Sequence, residues 1–65
     1  MQPHQERVVT EKSELDEKIS KLSDFMHGDV YAGLSAVDQG LLMVQIRAMK
    51  MYSEALLQRI ENFTP

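Results

Sequence analysis

The sequence contains no cysteine and no tryptophan, and only three glycines, two prolines, two tyrosines and two phenylalanines among its 65 residues. Without cysteine, neither a disulfide nor a thiolate metal site can strengthen a small core, and no thiol nucleophile is present. Apolar runs of about 18 residues are also absent, so a membrane-spanning helix is not predicted. A chain of this length buries only about 60% of its unfolded surface. The composition therefore predicts one small domain, spanning 1–65, that needs a ligand, regular helix packing or self-association.

The charge balance is acidic, with ten Asp and Glu against seven Lys and Arg and a net charge of −3. Such a chain has no overall field that attracts a nucleic-acid polymer. The N-terminal residues are polar (MQPHQER) and do not resemble a signal peptide. We expect a cytoplasmic protein that has neither a membrane nor a nucleic-acid polymer as a partner.

The first half of the chain predicts one amphipathic helix over about 3–26. Its apolar residues follow one another in steps of seven, four, three and four, as in a heptad seam: Val8, Leu15, Ile19, Leu22 and Met26. Lys12 occupies the seam position that these steps leave open. Pro3 stands where the first helical turn tolerates proline, and no glycine precedes Gly28.

The segment 27–34 interrupts this pattern and predicts a turn. Gly28 follows the last periodic residue, at the place where glycine favours a left-handed helix cap. Ser35 is a helix N-cap candidate for a second helix over about 36–63. A short connection between two long helices indicates an antiparallel hairpin, so we predict an all-α fold. A turn centred near residue 30 would bring Lys12 level with Met49.

The second helix carries two apolar stripes side by side. The first stripe consists of Leu42, Ile46, Met49, Leu56, Ile60 and Phe63, and the second stripe of Leu41, Val44, Ala48, Met51, Tyr52 and Ala55. A surface helix ordinarily shows a single stripe. The first helix can cover only one of these two, and an exposed stripe of this length exceeds the apolar patches of ordinary monomers. The pattern predicts that hairpins assemble into a homo-oligomeric helical bundle, or that the second stripe binds another protein.

The motifs of catalysis are absent from the sequence. No serine or histidine lies in a recognisable nucleophile motif, and the glycines fit no phosphate-binding loop. His4 and His27 are too far apart in sequence to form a helical metal pair. We therefore predict a protein that is not an enzyme and that has no catalytic residue, metal site or cofactor.

Six polar residues are candidates for binding a ligand: His4, Gln5, Arg7, Lys12, Tyr52 and Arg59. Tyr52 either belongs to the core with its hydroxyl at the rim, or offers a face to a nucleobase, worth about 1–3 kcal/mol. Lys12 either sets the register of the helix pair or binds a phosphate. Arg7 and Arg59 either pair with acidic neighbours, with little effect on stability, or bind a phosphodiester.

Two stretches carry a resemblance to a known group of proteins. HQERVVTEKSELDEKISKLSDF and MKMYSEALLQRIENF resemble short helical-hairpin proteins of tailed phages and prophages. Those proteins carry patterns close to H-Q-x-R-V-x-x-E-x-x-E-L and M-x-x-Y-S-x-x-L-x-x-R-I-x-x-F. This hairpin is similar to the core domain of phage anti-defence sponges that act against CBASS and Thoeris. Members of those families form homo-oligomers, typically hexamers, and sequester cyclic nucleotide or cyclic ADP-ribose-type signals without cleaving them.

The resemblance implies a binding function in the cytoplasm of an infected or lysogenic bacterial host. Sponge sites lie between subunits, where aromatic side chains stack on bases and basic side chains contact phosphates. Five of the candidates match the short-protein pattern in this sequence: His4, Gln5, Arg7, Tyr52 and Arg59. The alternative function is an oligomeric interaction or scaffold module of phage origin. A small nucleic-acid-binding regulator fits less well, because the charge balance is acidic.

Overall fold

The structure is a computed structural model that describes residues 1–63, and the elements within that range are helical. Helix α1 spans Pro3–Met26, α2 spans Asp29–Ala32 and α3 spans Ala36–Glu61. The early part of α1 packs on the late part of α3, so the two long helices run antiparallel, and the molecule measures 49 × 15 × 13 Å. The prediction of an all-α fold built on two long helices is confirmed. The second helix ends two residues earlier than the sequence pattern predicts.

The two long helices begin at local hydrogen bonds. At the start of α1, the Gln2 backbone N–H donates to Gln5 Oε1 at 2.9 Å, and Pro3 is the first helical residue. At the start of α3, the Asp38 backbone N–H donates to Ser35 Oγ at 3.1 Å. Each bond satisfies a backbone group that the first helical turn leaves without an internal partner. The prediction that Ser35 caps the second helix is confirmed.

The connection between the long helices differs from the prediction. Gly28 is extended, with φ −98° and ψ 174°, and no residue within 1–63 has a positive φ. The expected left-handed cap at Gly28 is therefore wrong. Gly28 instead begins the one-turn helix α2, since the Ala32 backbone N–H donates to its carbonyl at 3.3 Å. The predicted turn thus contains a helical turn of its own.

This additional turn changes the register of the hairpin. Gln39, in the first turn of α3, donates through Nε2 to the Tyr31 carbonyl at 2.9 Å, and the Tyr31 hydroxyl donates to the Gln39 carbonyl at 3.2 Å. The start of α3 therefore lies beside α2. Lys12 consequently reaches Ser53 rather than Met49, a difference of four residues, or about 6 Å along α3. The prediction that Lys12 lies level with Met49 is wrong, because it placed the centre of the turn too early.

The core is a narrow strip between α1 and α3. Its main cluster consists of Val8, Leu15 and Leu56, with Ile19, Met49, Ile60 and Phe63 packed against them. Ile46 on α3 is buried as well. Leu56 is only 1% exposed. The first stripe of α3 faces this core, whereas all six residues of the second stripe are exposed. The prediction that α1 covers one stripe and leaves the other open is confirmed for the single chain.

Candidate functional site

A closed polar network joins the two long helices within the otherwise apolar strip. Lys12 Nζ lies 2.6 Å from Asp16 Oδ2 and donates to Ser53 Oγ at 3.1 Å. The Ser53 hydroxyl in turn donates to Asp16 Oδ1 at 2.5 Å. Ser53 is buried, whereas Lys12 and Asp16 lie at the edge of the strip. Together they provide the Ser53 hydroxyl with one donor and one acceptor. Because a polar network of this kind pairs only in one register, the structure favours Lys12 as a register-setting residue.

The network is charged as well as polar. The hydrogen bond from Lys12 and then the hydrogen bond from Ser53 lower the pKa of the Asp16 carboxyl below its ordinary value of 3.8, although desolvation opposes them. Hydrogen bonds to the ionised form favour it. Asp16 is therefore a carboxylate at neutral pH, and its charge balances that of Lys12.

Neither Asp16 nor Ser53 is among the six residues predicted from the sequence. Asp16 stands four residues after Lys12, the spacing at which opposite charges meet on a helix. Ser53 lies among the apolar positions that face α1 and is flanked there by Met49 and Leu56. A small polar residue in a row of apolar positions indicates that a polar side chain of the facing helix pairs with it.

Tyr52 directly precedes Ser53 on α3, but its side chain is not part of this network. Its side chain is 47% exposed, so its interpretation as a core residue does not hold. Leu41, Val44 and Met51, which belong to the same second stripe, are exposed to an even greater degree. One helical step of about 100° separates Tyr52 from the buried Ser53. The ring is therefore available to an aromatic ligand or to another chain.

The two candidate arginines lie in separate open concavities. Arg59 lines one of about 570 Å³ at the end of α3, together with Ala55, Gln58, Glu61 and Asn62. Arg7 lines one of about 440 Å³ on α1, where Glu6, Glu11 and Glu14 supply three carboxylates. An anionic ligand is better suited to the Arg59 concavity, since acidic neighbours offset the charge of Arg7. Both concavities are wide open to solvent, so the single chain does not enclose either of them.

The N-terminal candidates occupy the beginning of α1. Gln5 is half-buried and accepts the Gln2 backbone hydrogen bond described above, whereas His4 is exposed. The six predicted residues therefore do not meet in one place on the single chain. Tyr52 and Arg59 share the outer side of α3, Arg7 lies on α1, and Lys12 is held in the polar network.

The described residues can also be assessed for a membrane-spanning helix and for a metal site. None of the helices within 1–63 is both long enough and apolar enough to cross a membrane. Likewise, in that part of the chain no three His, Asp or Glu side chains come together as a metal-binding group.

Comparison with known proteins gives two matches over almost the whole hairpin. An uncharacterized 7.5 kDa protein from the denB–rIIB intergenic region of Enterobacteria phage T4 is 41% identical over 63 residues, which cover 97% of this chain and 98% of the phage protein. No solved structure matches the chain. The model of the Sequestin family matches residues 2–62, and the chain therefore belongs to the Sequestin family.

Proposed function

We propose that this protein is a phage anti-defence sponge, a homo-oligomer that binds cyclic nucleotide immune signals and holds them without cleaving them. The signals are cyclic di- or trinucleotides or cyclic ADP-ribose isomers, and binding takes place in the cytoplasm of the infected or lysogenic host. A sponge acts by mass action, because each signal molecule that it holds is withdrawn from the host effector.

The observation that carries the proposal is the extent of the Sequestin match. It spans residues 2–62, which include all of α1, α2 and α3. The family name points to sequestration, and no segment outside the hairpin is needed to account for the match. The similarity to a phage T4 protein fits a role during infection.

The side chains of the single chain suit this ligand class in part. Tyr52 presents a half-exposed ring, and stacking of a nucleobase on such a ring is worth about 1–3 kcal/mol. Arg59 offers the planar fork that matches phosphate oxygens. Because both concavities are open to solvent, a second copy is required to enclose a ligand, and we expect the assembly to be a hexamer as in the sponges that this hairpin resembles.

The direct test is a thermal-shift screen against cyclic dinucleotides, cyclic trinucleotides and cyclic ADP-ribose isomers. A ligand at 100 times its Kd stabilises a protein by about 2.7 kcal/mol, which for a domain of this size raises Tm by about 10–20 °C. Chromatography of the ligand released by heating should then recover it chemically intact. A folded protein that shifts with none of these signals, or that returns a cleaved product, contradicts the proposal.

Variants at Tyr52 test the stacking role. Tyr52→Phe retains the ring and should bind the signal as the natural protein does, whereas Tyr52→Leu should weaken Kd by about 10- to 100-fold. Lys18→Ala is the matched control for general surface changes, because Lys18 is exposed on α1 and lies outside both concavities. Equal affinity of the Leu and Phe variants, measured by titration calorimetry, would remove Tyr52 from the site.

An interaction or scaffold module is the second candidate function. It is favoured by the second stripe, because its exposed apolar residues form a surface of the kind that binds another protein, whether a different protein or a copy of this chain. The screen separates the two functions, since a scaffold assembles without responding to any cyclic nucleotide.

A further inference from the structure

The exposed side of α3 carries a complete heptad seam that no other part of residues 1–63 covers. Its members recur in alternating steps of four and three and none of them is charged: Val37, Leu41, Val44, Ala48, Met51 and Ala55. We call this set the open seam. Val37, Leu41, Val44 and Met51 are 71%, 63%, 62% and 75% exposed, and both alanines are exposed as well.

The geometry of the open seam indicates what covers it. It extends over about 27 Å, and it lies about 130° around α3 from the side that packs on α1. Apolar residues at this spacing pack as knobs into the holes of another helix with the same spacing. The other heptad-like row, on α1, already faces α3 through Val8 and Leu15. The open seam of a second copy is thus the matching surface that remains.

The residues that flank the open seam determine the direction of pairing. One flank carries Asp38, Gln45, Tyr52 and Arg59, and the other carries Gly40, Arg47, Glu54 and Glu61. In an antiparallel pair, each flank meets the same flank of the partner helix. A two-fold axis between Met49 and Lys50 then sets Asp38 opposite Arg59, and Arg47 opposite Glu54. Symmetry repeats both contacts, which gives four pairs of opposite charge.

We propose that two copies of this chain pair antiparallel through the open seam, about a two-fold axis that passes between Met49 and Lys50. In this pairing Ala48 packs on Met51 of the second copy, and Val44 packs on Ala55. The proposal deepens the homo-oligomer of the proposed function by assigning one of its interfaces. Charges at the flanking positions of paired helices select partner and orientation, and here they favour this register.

Other arrangements of the same two helices fit the charges less well. Moving the two-fold axis to Ile46 lengthens the apolar overlap but sets Arg47 against Arg47 of the second copy. A parallel pair brings Glu54 to Arg59 but leaves Arg47 beside Tyr52. The carboxylate of Glu54 also accepts a 3.3 Å hydrogen bond from Gln58, which continues the row of the open seam towards the end of α3. Glu54 therefore lies close to the proposed contact.

The pairing makes the candidate ligand surface composite. Tyr52 of one copy lies across from Gln45 of the other, and both Tyr52 rings lie along the same edge of the helix pair. Arg59 is then shared between a ligand and Asp38 of the second copy. The concavity lined by Ala55, Gln58 and Asn62 would receive Val37 of the second copy.

Charge reversal at one flank is the sharpest test, and it needs no nucleotide. We would measure self-association of the natural chain by sedimentation over a dilution series, together with Arg47→Glu, Glu54→Arg, the variant with both changes, and an equimolar mixture of the two single variants. Both side chains are exposed, so the fold of each chain should survive, as helix content by circular dichroism would verify. Lys18→Glu changes the net charge as much as Arg47→Glu does, but on α1, away from the open seam.

Each single variant turns two attractive contacts into repulsive ones and should weaken self-association by roughly tenfold at low salt. The chain with both changes, and the mixture of the two single variants, should associate as the natural protein does. Lys18→Glu should have no effect. A natural chain that stays single at all concentrations, an Arg47→Glu variant that associates normally or more tightly, or a double variant without recovery would overturn the pairing.

A lack of response to cyclic nucleotides would leave this interface standing and remove only the sponge. Conversely, if the charge-reversal variants assemble and bind nucleotides as the natural chain does, the proposed function stands and only this interface is contradicted.

Discussion

Replacing Leu56 by alanine should remove most of the stability of the single hairpin. Leu56 is 1% exposed, and it is the side chain around which Val8, Leu15 and their neighbours pack. Deletion of a fully buried leucine costs about 2–5 kcal/mol. A core of this size rarely contributes more than about 3–5 kcal/mol in total. The variant should therefore be largely unfolded at concentrations where the natural chain is a single hairpin.

The neighbouring leucine provides the control. Leu57 has the same side chain on the same helix but is 37% exposed, so Leu57→Ala should reduce the free energy of unfolding by at most about 1 kcal/mol. Urea denaturation followed by circular dichroism at one fixed, dilute concentration would measure both variants. Equal losses for Leu56→Ala and Leu57→Ala would refute the assignment of the core to the strip between α1 and α3.

Three further outcomes follow from the helix ends and the polar network. Ser35→Ala removes the cap of α3 and should lower the free energy of unfolding by about 1 kcal/mol in the same assay. Ser53→Ala leaves Lys12 and Asp16 paired only with each other and should cost about 1 kcal/mol. The lowered pKa of Asp16 adds stability above pH 3.8, which is lost as the pH falls through the lower value of the folded state. The stability difference between the natural chain and Asp16→Asn should therefore shrink on acidification below pH 3.8, and a constant difference would contradict this.

The helices and their buried sides could be predicted because periodicity reports them directly. The steps between Val8, Leu15 and Ile19 match the side of α1 that packs on α3. On α3, the sequence separates the apolar residues into two stripes. In the structure, the stripe that contains Ile46 and Leu56 is the buried one. These features depend on which residues share a helix face, and a single sequence contains that information.

The register of the hairpin could not be predicted in the same way. It depends on how many residues the connection uses, and α2 adds a helical turn that the pattern of 27–34 does not show. Gly28 illustrates the difficulty, because glycine is compatible with a left-handed cap and with the extended conformation that it adopts. One helical turn of error was enough to place Lys12 beside Met49 instead of Ser53.

For the candidate site, the sequence indicated residue types but no arrangement in space. Lys12, Tyr52 and Arg59 have the chemistry of a nucleotide site, yet the single chain holds Lys12 in a network and leaves Tyr52 and Arg59 on the outer side of α3. Where sites form between copies, their geometry depends on the assembly, and the pattern of one chain does not specify it.

Native mass spectrometry of the purified chain mixed with a panel of cyclic nucleotides would report assembly and ligand sequestration in one measurement. We expect assemblies whose masses are multiples of the 7.5 kDa chain and which carry added masses equal to intact cyclic nucleotides. A single 7.5 kDa species with no added mass, from a sample that is fully helical, would contradict it.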